Sequence, residues 1–369
     1  MGAAKKKILI AGASGLVGGA ALERFAHRED WEVIGVSRRK PWIPLGHAKH
    51  MSVDLLDRAA CADVFGKMSD VDYVVFAALN EREDDIQAGW RDPEQIAKNE
   101  AMLVNLFDPL ISVAKGFRHI SVLHGGKAYG VHIPNYQVML PMYEDAPRHP
   151  GDNFYYRQHD YIAAKQKGTS WAWTIFRPGP IFGIAFGANM SPLIALTVFA
   201  ALRKEAGEDL YVPDGRTALV EPSDADLIAE ALEWAMEAST ARNEIFNLNN
   251  GDLLSRHQVF PILARCMQMN LGPARRYSLV EEISRLGELW PGMVKKYSLN
   301  APSDLNELFG NSLQIAGQWT SDTPAERILG SGFSSNIKIR QAGFETCVDN
   351  RVMIEKHIRR MQELRMIPP

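Results

Sequence analysis

The feature that most constrains the fold stands near the N-terminus, where Lys7-Ile-Leu-Ile-Ala11 runs into Gly12-Ala-Ser-Gly15-Leu-Val-Gly18 and then into an Ala- and Leu-rich stretch reaching His27. An apolar run, a glycine-punctuated turn and a helical pattern in that order read as strand, tight turn and helix. Gly12 permits the turn, Gly15 lets ligand phosphates approach the backbone, and Gly18 lets the helix pack on the strand. The helix N-terminus that faces the turn favours negative charge. The expectation is a pyrophosphate-binding unit in which Gly12, Ser14, Gly15, Leu16, Val17 and Gly18 meet a dinucleotide.

The next apolar run, Glu32-Val-Ile-Gly-Val36, ends in Ser37-Arg38-Arg39. A site for NAD places a carboxylate there to hold the ribose hydroxyls; two guanidinium groups suit a 2′-phosphate instead, through charge-assisted, fork-shaped hydrogen bonds. The cofactor expected is therefore NADPH/NADP+, the competing reading being a solvated basic loop. Further strands are predicted at Met51–Leu55, with Asp54 and Leu55 near the adenine edge, at Asp72–Ala78, Arg118–Leu123 and Thr174–Gly179, and late in the chain at Asn243–Leu248. Helical or mixed segments separate them, so the fold class is α/β, a Rossmann-type doubly wound parallel sheet. After residue 185 the pattern changes. Helices are predicted over Asn189–Lys204 and Ser223–Ala238, and from Ser255 onward the chain mixes Met, Trp, Leu and charged residues at helical spacing. The reading is a dinucleotide-binding domain over 1–185, joined by 215–250, and a smaller, mostly helical C-terminal substrate-binding lobe over 186–214 and 251–369.

Composition bounds the partners. With 369 residues, 46% apolar side chains and a net charge of only −3, nothing electrostatic calls for nucleic acid or an anionic membrane. Cys61, Cys266 and Cys347 are odd in number and in no ligand spacing, which implies a reduced, cytoplasmic protein without disulfides or a zinc site. The basic N-terminus meets the glycine turn too soon to be a signal peptide or membrane span. His124, His132, His149 and His159 also lack ligand spacing and are expected as ordinary loop or surface histidines. No metal site is expected.

Taken together, the glycine turn, Ser37-Arg38-Arg39, Gly125-Gly-Lys127-Ala-Tyr129-Gly130, Asn153-Phe-Tyr-Tyr156, Arg177-Pro-Gly-x-Ile-Phe-Gly183, Ser223-Asp-Ala-Asp-Leu-Ile-Ala-Glu230 and Asn243-Glu-x-Phe-Asn247 with Gly251-Asp252 resemble the progesterone 5β-reductase and iridoid synthase group of extended short-chain dehydrogenases. The resemblance implies hydride transfer from NADPH to the β-carbon of an α,β-unsaturated carbonyl. Tyr155 matches the group's catalytic tyrosine and Lys127 its lysine. By the same resemblance Leu79, Asn80, Leu123, Tyr155, Ile181, Ala188, Asn189 and Met190 line the cofactor. Leu79-Asn80 departs from the Thr-Trp of plant members, and Ala188-Asn189-Met190 from a Ser-Met-Met-like run. The implied substrate is a small apolar carbonyl compound, and the class allows a homodimer. The apolar insert Val131–Met142 reads as a flexible lid.

Hydride arriving at a β-carbon leaves negative charge on the carbonyl oxygen, which needs a hydrogen-bond donor. A neutral tyrosine hydroxyl supplies one, and a nearby ammonium favours its anionic form. Tyr161-Ile-Ala-Ala-Lys165 competes for the role, because Tyr-x-x-x-Lys puts both side chains on one helix face. Yet Tyr161 precedes Arg177 by 16 residues and Tyr155 by 22. From Tyr161, only about two to three turns would fit before the next strand. The 28-residue step from Lys127 to Tyr155 is therefore preferred and Tyr161-x-x-x-Lys165 read as a helix-surface coincidence. Aligning on Tyr129-Gly130 puts Gly125 where ordinary members carry Ser or Thr. Tyr156 is expected to pack, and Tyr129 to lie either in a pocket wall or in the core. Two alternatives stay open: a carbonyl reductase acting on ketones or aldehydes, and a non-catalytic NADP-sensing module.

Overall fold

The computed structural model describes residues 5–82, 86–188, 190–214, 219–317, 320 and 332–369. The chain divides into two compact units, the first comprising Met1–Gly179, Asp226–Leu248 and Ser334–Glu345 and the second Pro180–Ala225, Asn249–Phe333 and Thr346–Pro369.

The first unit is built on strands β1 (Lys6–Ala11), β2 (Trp31–Val36), β3 (Lys49–Met51), β4 (Tyr73–Phe76), β5 (His119–Leu123), β6 (Ala172–Pro178) and β7 (Glu244–Leu248). They form a parallel sheet in the order β7-β6-β5-β4-β1-β2-β3. Strand order reverses between β1 and β4, the crevice at which such sheets take ligands. Helices α1 (Leu16–Ala26), α2 (Arg58–Phe65), α3 (Pro93–Val113), α4 (Phe154–Gln166) and α5 (Ala225–Glu237) connect the strands. The strands read as unbroken apolar runs because both faces are covered: β4 and β6 are buried at every position, and Leu9, Phe65, Val74, Phe76, Leu103, Leu106, Phe107, Ile120 and Ile175 form one core.

The third strand lies earlier than the sequence suggested, at Lys49–Met51 rather than Met51–Leu55. Met51 pairs with Val36, the last residue of β2, so the ladder has no partner strand beyond it. Asp54 closes a turn by accepting from the Leu56 amide at 3.0 Å. Ser223–Asp224, expected as the start of a helix, pairs with Ile181–Phe182 as a short parallel strand before α5 begins.

In the second unit the apolar helix Pro192–Glu205 is buried along nearly its whole length. Its one deeply buried charge, Arg203, donates to the Asp209 carbonyl at 2.6 Å and to Glu282 at 2.8 Å, as a buried charge requires. Further helices at Arg256–Cys266, Leu279–Leu286 and Asn350–Glu363 make this C-terminal region predominantly helical. No helix among the described residues is long and apolar enough to cross a membrane.

Candidate active site

The glycine turn fits a dinucleotide phosphate. Gly12 has φ +84°, and a Cβ there would lie 2.6 Å from the Ala77 carbonyl oxygen at the end of β4; one on Gly18 would lie 2.1 Å from the Gly12 carbonyl oxygen. Only glycine lets the first turn of α1 close against the strand at this distance. Gly15 is the N-cap of α1 and offers no side-chain cap, so nothing but backbone faces the helix end. Ser14 and Leu16 are half-buried and Val17 is buried. At the end of β2, Ser37 donates to the Arg39 carbonyl at 2.6 Å, while Arg38 and Arg39 are exposed. Asp54 is exposed and Leu55 buried beyond β3. These groups follow the carboxyl ends of β1, β2 and β3, on the β1 side of the crevice at which the strand order reverses.

The segment after β4 is clamped. Asn99 of α3 accepts from the Asn80 amide at 2.8 Å and donates to the Asn80 carbonyl at 2.8 Å. Gln95 of the same helix accepts from the Arg82 amide at 2.8 Å. Between these fixed points the Glu81 side chain is fully buried, accepting from Trp90 Nε1 at 2.9 Å and lying 3.7 Å from Lys127 Nζ. Leu79 is exposed and Leu123, at the end of β5, half-buried.

Lys127 sits in a 3₁₀ turn, Gly126–Tyr129, directly beyond β5. Its ammonium lies 3.9 Å from the centre of the Trp90 ring, a cation–π contact. Burial pulls its pKa down to about 8, against the upward pull of Glu81, so at pH 7 it is predominantly charged.

Tyr155 opens α4. Asn153 caps the helix and accepts from the Tyr155 amide at 2.9 Å, and its amide donates to the Lys127 carbonyl at 3.1 Å, tying the two segments together. The Tyr155 ring stacks on His124 at 4.2 Å and meets Trp90 edge-on at 5.2 Å and Phe154 at 4.6 Å. No described residue hydrogen-bonds its hydroxyl. Burial, reinforced by Glu81 and opposed by Arg177, holds that hydroxyl far above the ordinary tyrosine pKa. A Cβ on Gly125 would lie 3.6 Å from it, so a side chain at the Ser/Thr position of ordinary members would border the phenol oxygen.

Tyr161 and Lys165 go elsewhere. The Tyr161 hydroxyl donates to Asp108 at 2.7 Å, and Lys165 pairs with the same carboxylate at 2.7 Å. Six residues separate Tyr155 from Tyr161, which turns them about 120° apart around the helix.

Three of the four histidines lie in loops, as expected, but not at the surface; His159 lies on α4, half-buried. His124, His132 and His149 are buried, and burial holds His124 well below its ordinary pKa, so it presents a neutral ring to Tyr155. Periodicity carries no signal for a single buried polar residue at a strand end. The sequence gives Glu81 no role of its own, because it opens an acidic run, Glu81-Arg-Glu-Asp-Asp85, in which no single carboxylate stands out. Tyr156 packs as expected, its hydroxyl donating to the Ala128 carbonyl at 2.8 Å. Tyr129 is buried, donates to Asn247 at 2.5 Å and lies 4.7 Å beneath the Arg177 guanidinium. Ile181, Ala188 and Met190 belong to the second unit and are each half-buried. Asn189 lies outside the described residues.

The family model described as NAD dependent epimerase/dehydratase family matches residues 8–248. The chain is similar to a 3-oxo-Delta(4,5)-steroid 5-beta-reductase from Arabidopsis thaliana, 30% identical over 352 residues that cover 86% of each chain. It is also similar to an (S)-8-oxocitronellyl enol synthase from Antirrhinum majus, 26% identical over 380 residues, 98% of this chain and 92% of that one. Among solved structures, UDP-glucose 4-epimerase from Thermotoga maritima shares the fold with a TM-score of 0.67 at 16% identity, covering 97% of this chain and 99% of that one.

Proposed function

Because the chain belongs to the NAD dependent epimerase/dehydratase family, in its progesterone 5β-reductase and iridoid synthase-like group, we propose that it is an NADPH-dependent ene-reductase acting on a small apolar α,β-unsaturated carbonyl compound. The cofactor, when bound, supplies a hydride. Gly12, Gly15, Gly18 and the N-terminus of α1 would hold its pyrophosphate, and Ser37, Arg38 and Arg39 its 2′-phosphate. Ser14, Leu16, Val17, Asp54, Leu55, Leu79, Asn80 and Leu123 complete the lining proposed for the first unit. In this reading 1–185 and 215–250 bind the dinucleotide and the remaining residues receive the substrate.

The observation that carries the reading is the state of Tyr155: a buried side chain whose hydroxyl is held protonated and makes no hydrogen bond to a described residue. A phenol that strongly resists deprotonation is a poor proton shuttle for alcohol chemistry. It is a good fixed donor to an oxygen on which charge develops, worth most where water is excluded. In conjugate reduction that oxygen becomes an enolate, whose charge the donor need only stabilise, and the Lys127 ammonium adds a second positive field. Gly125 supports the same reading, because the second hydroxyl that ordinary carbonyl chemistry places beside the tyrosine has no side chain here. The experiment is NADPH consumption with a matched pair, an enone and its saturated ketone. Turnover of the enone with the ketone inert supports the proposal; turnover of the ketone alone overturns it in favour of a carbonyl reductase, and turnover of neither across a broad panel of enones and enals in favour of a sensing module.

A further inference from the structure

We propose that Glu81 is a positioning residue of this site, its buried carboxylate holding the Lys127 ammonium against the face of Trp90. The inference rests on the reading of Lys127 as part of the catalytic pair and goes beyond it by assigning what fixes that lysine. Three observations carry it. The Glu81 side chain is fully buried and the Lys127 side chain only 14% exposed, with 3.7 Å between carboxylate and ammonium. The same Glu81 oxygen accepts from Trp90 Nε1 at 2.9 Å, and the Trp90 ring is the surface on which Lys127 rests, at 3.9 Å. Glu81 cannot drift, because its neighbours Asn80 and Arg82 are each bonded through the backbone to buried amides of α3.

A buried carboxylate that close to a reactive phenol is otherwise unfavourable, since burying a charge costs stability unless it is paired. Its placement makes sense as a means of setting two protonation states at once. It opposes the burial that pulls the Lys127 ammonium down to about 8, and it pushes the Tyr155 hydroxyl further up. The pair thus stays as ammonium and neutral phenol, one cation and one donor facing a developing enolate. Among the described residues, the groups that face this cluster are Glu81 from the segment after β4, Tyr155 from α4 and His132 from the insert after the 3₁₀ turn, with Arg91 acting on His132. His132 is drawn down to about 4 by burial, His149 and Lys127, and is therefore neutral across the working range. The remaining charge acting on Tyr155 is Arg177, at the end of β6, which lowers its pKa. Among the described residues, Glu81 is the group that raises the Lys127 pKa against burial.

The test uses Glu81→Gln, which keeps an oxygen to accept from Trp90 but removes the charge, and Glu81→Asp, which keeps the charge but shortens the reach. The readout is the titration of Lys127 by NMR of lysine ε-carbons in the full chain, assigned with Lys127→Met, alongside the pH dependence of kcat/KM for an enone. An opposite charge within about 4–6 Å shifts a pKa by about one to three units. Glu81→Gln is expected to move the Lys127 midpoint acidward by at least about one unit. The alkaline limb of kcat/KM moves with it, giving about tenfold lower activity above pH 8, and Glu81→Asp falls between the two. An unmoved Lys127 midpoint in Glu81→Gln overturns the inference whatever the activity does. Full activity in Lys127→Met overturns the catalytic role of the lysine, and with it the functional half of the inference, while the titration still decides the pairing. If Glu81→Gln does not fold, an unmoved midpoint in Glu81→Asp overturns the inference.

Discussion

Replacing Tyr155 by phenylalanine separates catalysis from structure at this site. The ring is held by its stack on His124 at 4.2 Å and by edge contacts with Trp90 and Phe154, all of which phenylalanine keeps. The backbone amide keeps its bond to Asn153. The hydroxyl hydrogen-bonds to no described residue, so its removal orphans no partner among the described residues and is expected to change folding stability by less than about 1 kcal/mol. Removing a donor aimed at a developing oxyanion costs far more in rate, about 10²–10³ in kcat, or roughly 3–4 kcal/mol of barrier. The assay pairs steady-state reduction of an enone with a urea titration of the same protein. Tyr161→Phe is the control: its hydroxyl is bonded to Asp108, so it is expected to lose stability modestly and keep kcat within about twofold. If Tyr155→Phe retained activity within about threefold of the parent, or if Tyr161→Phe were the variant that failed, the assignment of the donor would be refuted.

Other consequences are equally specific. Arg38→Asp is expected to raise the KM for NADPH by about ten- to a hundredfold, the loss of one charge-assisted hydrogen bond of roughly 1.5–3 kcal/mol; an unchanged KM would return Ser37-Arg38-Arg39 to the role of a solvated loop. Gly18→Ala places a Cβ 2.1 Å from the Gly12 carbonyl oxygen and should destabilise the protein by about 1–3 kcal/mol in chemical denaturation, together with weaker NADPH binding by calorimetry. Parent-like values for both would mean that the turn is looser than its geometry requires. With the parent protein, kcat/KM should fall as pH rises through about 8, where Lys127 loses its proton. A profile flat to pH 10 would show that the ammonium is not needed.

Much of the first unit could be read from the chain because its determinants are local and repeated. The glycine turn dictates strand, turn and helix, and the apolar runs of β4, β5 and β6 have no competing period. What escaped depends on partners distant in sequence. The end of β3 is set by where β2 stops at Val36, and the two-residue strand Ser223–Asp224 exists only because Ile181–Phe182 lies beside it. At the site, Tyr155 and Lys127 are proposed from the family resemblance, and chain length sets Tyr161 aside. Glu81 could not be singled out, because no single carboxylate stands out in its acidic run, while the amides of Asn99 and Gln95 that fix its flanks lie a helix away. The burial of His124, a loop histidine as expected, is illegible for a related reason: it stacks on Tyr155, a contact with no imprint in local composition.

The proposed reaction delivers hydride to the β-carbon of the substrate rather than to its carbonyl carbon. Reduction of an enone with NADPH deuterated at the transferred position, followed by NMR of the product, reads this directly. The account predicts deuterium at the β-carbon of a saturated carbonyl product, with the carbonyl intact. Deuterium on a carbinol carbon, with the double bond retained, would contradict it.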